Sequence, residues 1–301
     1  MSIRPLFLDT SIQIARLIHS PAMKRRIEER LRHYDETITG PVVRQEIKRR
    51  LLKEAKYLLG LLEELGSATA VRRHLVDTLP HQQGRKRNIC DQLLVTVDEQ
   101  DTEEDMTERV RLYLTRLLRD GLEAIDFKVT RSVEGSGCAC AAQPVKLRSR
   151  RNKADTYEFG SDYCSRIPEG KCGIVAFLRE NRDAAQAILR HLSALAGDEK
   201  TEELKRTEEF LLAVIGTEEN AIARDPCLKV GDLLIALESV GVGHFYTLNR
   251  AESIHLCRAL GQTLLVRPKN TTLEDEEHPG KPIAPQASGE PAPSPARPST
   301  A

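Results

Sequence analysis

The 301-residue sequence predicts an α/β fold in which a central parallel sheet is interrupted by a large, mostly helical insertion. Apolar residues make up 40% of the chain but aromatic residues only 4%, and this aliphatic composition suits helices and buried parallel strands. Short apolar runs followed by helical patterns occur near both ends of the chain, at residues 6–8 and 244–247. Between them the pattern is dominated by helices and shows no fixed-period repeat.

The N-terminal part alternates short strands with helices. The predicted elements are a strand at 6–8, a helix at 12–18, a basic helix at 23–34, a strand at 37–39 and a helix at 42–65. Pro41 suits the first turn of the last helix, and Gly66 is a typical residue for its end. Apolar residues recur in this helix at spacings of three and four, which predicts one buried face.

The middle of the chain is predicted to be mainly helical. Its elements are helices at 71–79, 106–118 and 173–195, a helix or strand at 89–97, an acidic loop at 98–105 and a strand at 125–129. Asp120-Gly121 is expected to end the helix at 106–118, and the helix at 173–195 is expected to break near Asn181.

The C-terminal part returns to strand–helix alternation. Its predicted elements are helices at 201–215, 230–239 and 254–260 and strands at 244–247 and 263–266. The expected domain organisation is therefore two halves of one α/β domain, at 1–66 and 201–268, separated by the insertion at 67–200. Residues 269–301 are rich in Pro, Glu, Ser and Ala, a composition typical of a disordered tail.

Bulk properties narrow the function classes. Lys+Arg and Asp+Glu both number 45, so the net charge is +0 and any attraction to nucleic acid must come from local basic patches. Such patches are present at 24–32, on the helix at 42–65, at 85–87 and at 146–153. No apolar run is long enough to span a bilayer, and Asp9 interrupts the N-terminal apolar stretch. We therefore expect a soluble, cytoplasmic protein with no membrane partner.

Two acidic residues stand out in the N-terminal part. Asp9 follows a predicted strand, and in open α/β sheets ligand sites lie beyond the carboxyl ends of the strands. The alternative for Asp9 is an N-cap of the helix that follows. Glu46 lies in the second turn of the helix at 42–65, and its alternative is an ion pair with Arg50 four residues later.

Four short motifs together resemble PIN-domain nucleases over residues 3–65 and 220–268. The motifs are a strand ending in Asp9-Thr10-Ser11, Gly-Pro-Val-Val-Arg-Gln-Glu46, Gly-Asp232-Leu-Leu-Ile-Ala-Leu-Glu, and a strand running into Thr247-Leu-Asn249-Arg250. The resemblance implies a Rossmann-like α/β/α, PIN-type domain and metal-dependent hydrolysis of phosphodiester bonds, most often in RNA. The sequence departs from the family at Asn249, where a fourth acid is usual; Glu252 is a substitute only if the backbone turns it inward.

The residues in these motifs suit metal-dependent hydrolysis of a phosphodiester. Carboxylates are the ligands that Mg²⁺ and Mn²⁺ prefer, and two such ions neutralise a phosphate and activate a water. Asp9, Glu46 and Asp232 are the predicted catalytic metal ligands, and Asn249 adds a carbonyl oxygen without charge. The predicted residues for holding these carboxylates, a bound water or the substrate are Thr10, Ser11, Thr247 and Arg250. Asp225, which precedes a proline, is interpreted as a turn residue.

Four of the seven cysteines form a second group of candidates, namely Cys138, Cys140, Cys164 and Cys172. Four thiolates suit a structural Zn²⁺ ion, and an iron–sulfur cluster uses the same ligands. The alternative is that they are unpaired thiols packed as small apolar residues. Cys90, Cys227 and Cys257 lie among apolar residues and are interpreted as core.

Three functional hypotheses follow. The first is a metal-dependent nuclease whose partner is nucleic acid, and the resemblance implies RNA. The second is a PIN-like module that binds nucleic acid or protein without useful catalysis, which the neutral Asn249 motivates. The third is a toxin-type ribonuclease held by an inhibitor protein. A homo-oligomer is the other protein assembly considered.

Overall fold

The computed structural model describes residues 3–78, 84–94, 102–133, 147–151, 157–159, 173–216 and 230–266. Within them, the α/β class is confirmed by a five-stranded, all-parallel sheet in the order β3-β2-β1-β6-β7. Its strands are β1 (Pro5–Leu8), β2 (Glu36–Thr39), β3 (Arg131–Ser132), β6 (His244–Thr247) and β7 (Thr263–Val266). Strands β4 (Leu147–Arg151) and β5 (Tyr157–Phe159) form a separate antiparallel pair.

The helices are longer and more numerous than the strands. In the first half they are α1 (Thr10–Ile18), α2 (Pro21–Leu31), α3 (Pro41–Ile47), a π-helical turn (Lys48–Leu52), α4 (Lys53–Leu65), α5 (Ala68–Thr78), α6 (Gly84–Leu94) and α7 (Glu103–Phe127). In the second half they are α8 (Gly173–Glu180), α9 (Arg182–Ser193), a 3-10 turn (Gly197–Glu199), α10 (Glu202–Gly216), α11 (Gly231–Glu238) and α12 (Arg250–Ala259). None of the helices in the described ranges combines the length and apolarity needed to cross a membrane.

The strand order reverses between β1 and β6. The chain first adds β2 and β3 on one side of β1, and after the insertion it adds β6 and β7 on the other side. In such doubly wound sheets the reversal opens a crevice at the carboxyl ends of the two central strands. Asp9 follows β1 and Leu248 follows β6, so the predicted motifs at the two ends of the chain meet at this crevice.

Helices cover both faces of the sheet. Successive residues of a strand point to opposite faces. Leu6 and Leu8 belong to an apolar cluster with residues of α1 and α2, whereas Phe7 belongs to the larger cluster that includes residues of α3, α4 and the insertion helices. Phe7 stacks on Phe245 of the neighbouring strand, with ring centroids 5.6 Å apart. The insertion helices therefore share one apolar core with the sheet.

The strand predicted at 125–129 is wrong, because α7 continues through Gly121 to Phe127 and the strand follows at Arg131–Ser132. A Cβ at Gly121 would lie 3.2 Å from Leu117 of the same helix and 3.4 Å from Leu52 of the π-turn, so Gly121 lies inside the helix packing and not at a helix end. Burial of Ile125, which is 1% exposed, outweighs the helix-ending tendency of glycine. The ambiguous segment at 89–97 is helical as far as Leu94.

Two other predicted boundaries are informative, one of them shifted and one confirmed. Helix α7 begins at Glu103, inside the predicted acidic loop, with Thr102 as its N-cap. Its first turn carries Glu103, Glu104 and Asp105, and acidic residues stabilise the positive end of a helix dipole. The break near Asn181 is confirmed, since α8 ends at Glu180 and α9 begins at Arg182.

Candidate functional site

Asp9 lies at the carboxyl end of β1, directly beside the end of β6. Its N–H donates to the carbonyl oxygen of Tyr246 at 3.0 Å, which extends the parallel pairing of the two strands. The side chain is only 7% exposed. Its carboxylate also accepts hydrogen bonds from the N–H groups of Thr10 (2.6 Å) and Ser11 (3.5 Å) and so caps α1. Asp9 is therefore both the N-cap and a buried acid at the crevice.

Two hydroxyl groups hold the Asp9 carboxylate in one orientation. Ser11 Oγ and Thr247 Oγ1 both donate to Asp9 Oδ2, at 2.8 and 2.7 Å. Each hydroxyl in turn accepts a backbone N–H, from Leu248 (2.9 Å) and Asn249 (2.9 Å) respectively. Because a hydroxyl has a single proton, both protons are committed to Asp9. The structure thus brings Ser11 and Thr247 to the acid that they were predicted to hold.

Thr10 contributes to the site through its backbone. Its backbone N–H bonds Asp9, but its side-chain oxygen is buried and has no hydrogen-bond partner among the described residues. Its hydroxyl therefore holds no carboxylate of the site.

Glu46 reaches the start of α11 from the last turn of α3. Its Oε1 accepts a hydrogen bond from Arg50 Nη2 at 3.0 Å, so the predicted i+4 pair is present. The same oxygen would lie only 2.5 Å from a Cβ at Gly231. Gly231 immediately precedes Asp232, and its missing side chain leaves room for the Glu46 carboxylate next to that acid.

Asp232 experiences the charges of the other acids. Burial, followed by the negative charges of Asp9 and Glu46, raises the pKa of Asp232 from 3.8 to about 7. Arg50 opposes the shift, and Glu252 adds to it. Acids that lie at positions 9, 46, 232 and 252 of the sequence therefore belong to one electrostatic site, and one of them titrates close to neutral pH.

The segment that follows β6 carries a neutral side chain, Asn249, and a cationic one, Arg250. Asn249 is the N-cap of α12, yet its partly buried side chain makes no capping hydrogen bond. Arg250, the first residue of α12, is exposed. Glu252, in the first turn of the same helix, is partly buried and contributes to the field at Asp232. The negative charge of Glu252 thus acts on Asp232, and its role as a fourth acid stays a prediction.

Arg50 is the site residue that sequence reasoning missed. It was considered only as a surface partner of Glu46, although the i+4 spacing already places it beside any site that Glu46 joins. The basic patches, in contrast, are partly used inside the molecule. Lys24 Nζ donates to Leu17 O at 2.7 Å, Arg44 pairs with Asp126, and Lys48 is only 2% exposed. The helix at 42–65 therefore does not present a continuous basic face to solvent.

The donor set fits a hard divalent cation. The acidic candidates all carry carboxylates, and a double positive charge would offset the burial and the repulsion from Asp9 and Glu46 that together raise the pKa of Asp232. Over the described ranges, no group of three or more His, Cys, Asp or Glu side chains is already close enough together to hold a metal ion. A bound cation would therefore have to draw these carboxylates together.

The cysteines divide between described and undescribed parts of the chain. Cys138, Cys140, Cys164, Cys172 and Cys227 lie outside the described residues, as does Asp225. Cys90 and Cys257 are fully buried thiols, which confirms their interpretation as core residues. Burial, with the nearby charge of Asp9, raises the pKa of Cys257 to about 12, so this thiol is unreactive at neutral pH.

Comparison with known proteins adds no relative: no family model, no curated protein sequence and no solved structure matches this chain.

Proposed function

We propose that this protein is a PIN-like, metal-dependent nuclease that hydrolyses phosphodiester bonds, with RNA as its substrate. The observation that carries the proposal is the electrostatic coupling of Asp232 to Asp9 and Glu46 beside the switch point of a doubly wound sheet. Repulsion of this kind between buried carboxylates is unfavourable in itself, and it is typical of sites that bind a cation or transfer a proton. RNA is the substrate class that the resemblance to PIN domains implies.

The side chains have distinct roles in this proposal. Asp9, Glu46, Asp232 and Glu252 would hold Mg²⁺ or Mn²⁺, which supplies charge neutralisation at the phosphate and an activated water. Ser11 and Thr247 hold Asp9 in place, so this ligand is oriented in advance. With its pKa at about 7, the Asp232 carboxyl carries a proton in a large fraction of molecules at neutral pH. Cation affinity should therefore increase as the pH rises through this value.

The proposal is tested by Asp9→Asn and Asp232→Asn, with Asp183→Asn as a matched control at an exposed acid of α9. We expect Mn²⁺-dependent cleavage of mixed RNA to fall on the order of 100-fold or more in the two site variants, the scale of losing one electrostatic contact to a transition state. The control should cleave like the wild type. Activity that persists in both site variants would contradict the assignment, and parallel reactions with DNA determine the substrate class.

Thermal unfolding provides a readout that does not depend on cleavage. Mn²⁺ at about 100 times its Kd should raise the Tm of the wild type by roughly 5 °C or more, because a ligand that binds only the folded state stabilises it. Asp9→Asn should lose most of this shift, and Asp183→Asn should keep it.

The neutral side chain of Asn249 favours one second candidate, a module that binds nucleic acid without turnover. Asn249 occupies the position of the fourth acid in the resembled family and offers no charge. The variant Asn249→Asp separates the two functions. A wild type that binds RNA but does not cleave it, together with cleavage by Asn249→Asp, would establish the binding module.

A further inference from the structure

Arg50 is a cation within a site that is otherwise acidic. Its guanidinium donates to Glu46 Oε1 at 3.0 Å, and this same oxygen contacts Gly231 next to Asp232. The two partners differ in exposure: the side chain of Arg50 is 35% exposed and that of Glu46 only 13%. Within this ion pair the Glu46 carboxylate therefore lies on the interior side and the Arg50 guanidinium lies nearer to solvent.

The backbone at Arg50 is irregular in a way that fixes its position. The continuous helical segment from α3 to α4 contains one π-helical turn, in which the N–H of Lys53 bonds the carbonyl of Lys48. Single π-turns inside α-helices occur frequently at functional sites. Lys48, Leu51 and Leu52 are at most 2% exposed and anchor the turn, whereas Arg49 and Arg50 remain partly exposed.

A positively charged side chain beside an acidic site favours the binding of an anionic substrate. Asp9, Glu46, Asp232 and Glu252 together would repel a phosphodiester, even where divalent cations offset part of their charge. A guanidinium presents parallel N–H donors in a rigid plane, a geometry that matches two oxygens of one phosphate. The hydrogen bond from Nη2 to Glu46 uses one of these donors and orients the other N–H groups of the guanidinium.

We propose that Arg50 is the phosphate-binding residue of this site and contacts the non-bridging oxygens of the phosphodiester that is cleaved. This assignment rests on the proposed nuclease function and names the group that recognises its substrate class, the phosphodiester backbone of a nucleic acid. Glu46 has two roles in it, as an acid of the site and as the residue that orients the guanidinium.

The test compares Arg50→Gln and Arg50→Lys with Arg49→Gln, a matched control on the same π-turn. Affinity for a 2′-O-methyl RNA oligonucleotide, which resists cleavage, is measured in Ca²⁺ at several salt concentrations. For single strands, each phosphate contact contributes about 0.7 to the slope of log K against log salt. Arg50→Gln should lower the magnitude of the slope by about 0.7, and Arg49→Gln should leave it unchanged.

Cleavage kinetics distinguish the contribution of the two parallel guanidinium donors from that of the positive charge alone. Arg50→Lys should keep the salt slope but lose at least about tenfold in kcat/KM, because an ammonium cannot replace two parallel donors. Its Tm should remain close to that of the wild type, so the lysine variant serves as the test if Arg50→Gln fails to fold. A salt slope unchanged in Arg50→Gln, or full kcat/KM in Arg50→Lys, would overturn the assignment.

Failure of the nuclease proposal gives a different result. If the wild type cleaves neither RNA nor DNA but its salt slope depends on Arg50, the phosphate contact stands and only the catalytic function is rejected. If the wild type binds no oligonucleotide, both proposals are rejected.

Discussion

Single residues at this site perform two functions at once, which explains why sequence patterns at them are ambiguous. Asp9 caps α1 through the N–H groups of Thr10 and Ser11, and it is also the acid held by Thr247 at the crevice. Glu46 makes the ordinary i+4 ion pair with Arg50, yet the same carboxylate oxygen contacts the start of α11. In both cases the local structural role orients the carboxylate, so the simple interpretation and the functional one are compatible.

The titration of Asp232 makes a prediction at this scale. Its pKa is about 7 in the folded state and 3.8 ordinarily, so between these values the folded state binds more protons than the unfolded state. The stability of the metal-free protein should therefore fall as the pH rises through this window, and the loss should be complete above pH 7. Asp232→Asn removes the charge and should be more stable than the wild type at pH 8, by roughly 5 °C in Tm, with little difference near pH 4.

Thermal unfolding in the presence of a chelator, measured from pH 4 to pH 8, checks this prediction. The Tm difference between Asp183→Asn and the wild type should stay constant over the same range. A difference between Asp232→Asn and the wild type that does not change with pH would mean that the folded state does not raise the pKa of Asp232.

At the scale of elements, α3 and α11 fix the spacing of the acids through two reciprocal contacts. At one end, Glu46 of α3 meets Gly231 at the start of α11. At the other end, both carboxylate oxygens of Glu238 in α11 accept hydrogen bonds from the N–H of Val42, at 3.1 and 3.2 Å, and a Cβ at Gly40 would clash with this carboxylate. The helices are therefore antiparallel, and each glycine leaves room for a glutamate of the other helix.

The variant Gly231→Ala tests the role of this contact. The new methyl group would displace the flexible end of Glu46, so the Tm should stay within roughly 3 °C of the wild type. The affinity for Mn²⁺ should nevertheless fall about tenfold, within the range seen when a supporting group of a metal site is removed. Isothermal titration with Mn²⁺ measures the change.

Gly197→Ala is the matched control for this variant, because a Cβ at Gly197 would meet no atom within 4 Å. Its Mn²⁺ affinity should equal that of the wild type. Equal affinity in Gly231→Ala as well would show that the position of Glu46 is unimportant for the cation.

At the scale of the whole molecule, the insertion and the sheet are joined through the helices next to the site. Helices α5, α6 and α7 pack on α4, which continues from the π-turn, and α9 packs on α12, which carries Glu252. The α9–α12 contact includes His191 and His255, whose ring centroids are 5.7 Å apart and whose pKa values are both lowered, mainly by burial. Both imidazoles are therefore mainly neutral at physiological pH, consistent with a structural role in this contact.

The cysteines of the insertion make a prediction at this scale. We propose that Cys138, Cys140, Cys164 and Cys172 bind one structural Zn²⁺, because their surroundings in the sequence are rich in Gly, Ser and charge and poor in apolar residues. Structural zinc contributes on the order of 10 kcal/mol to small subdomains of this kind. Metal analysis of the purified protein should find about one zinc per chain, and the double variant Cys138→Ser/Cys164→Ser should lose it.

Asp9→Asn is the control for this measurement and should retain its zinc, since the two metal sites use different ligands. Clearly less than one zinc or iron per chain in the wild type, or equal zinc in the wild type and the cysteine double variant, would leave these residues as ordinary thiols.

The sequence by itself determined the α/β class, four of the strands and the position of Asp9 at a strand end. These features depend on neighbours along the chain: apolar runs such as residues 6–8 and 263–266 are bounded by Asp, Gly or polar residues, and such signals act over a few positions. The actual end of α7, in contrast, depends on tertiary contacts. Gly121 permits contact with Leu52, which is 69 residues away and invisible to a local pattern.

Only the tertiary structure decided which charged residues share the site. The reversal of strand order between β1 and β6 brings the Thr247 hydroxyl to the Asp9 carboxylate. The antiparallel packing of α3 and α11 brings Glu46 next to Asp232. Arg50 and Glu252 belong to the site because their charges act on Asp232 through space. The pKa of about 7 at Asp232 follows from its burial and from these surrounding charges. Such effects depend on distances between residues that are remote in the chain, so they are fixed only when the elements pack.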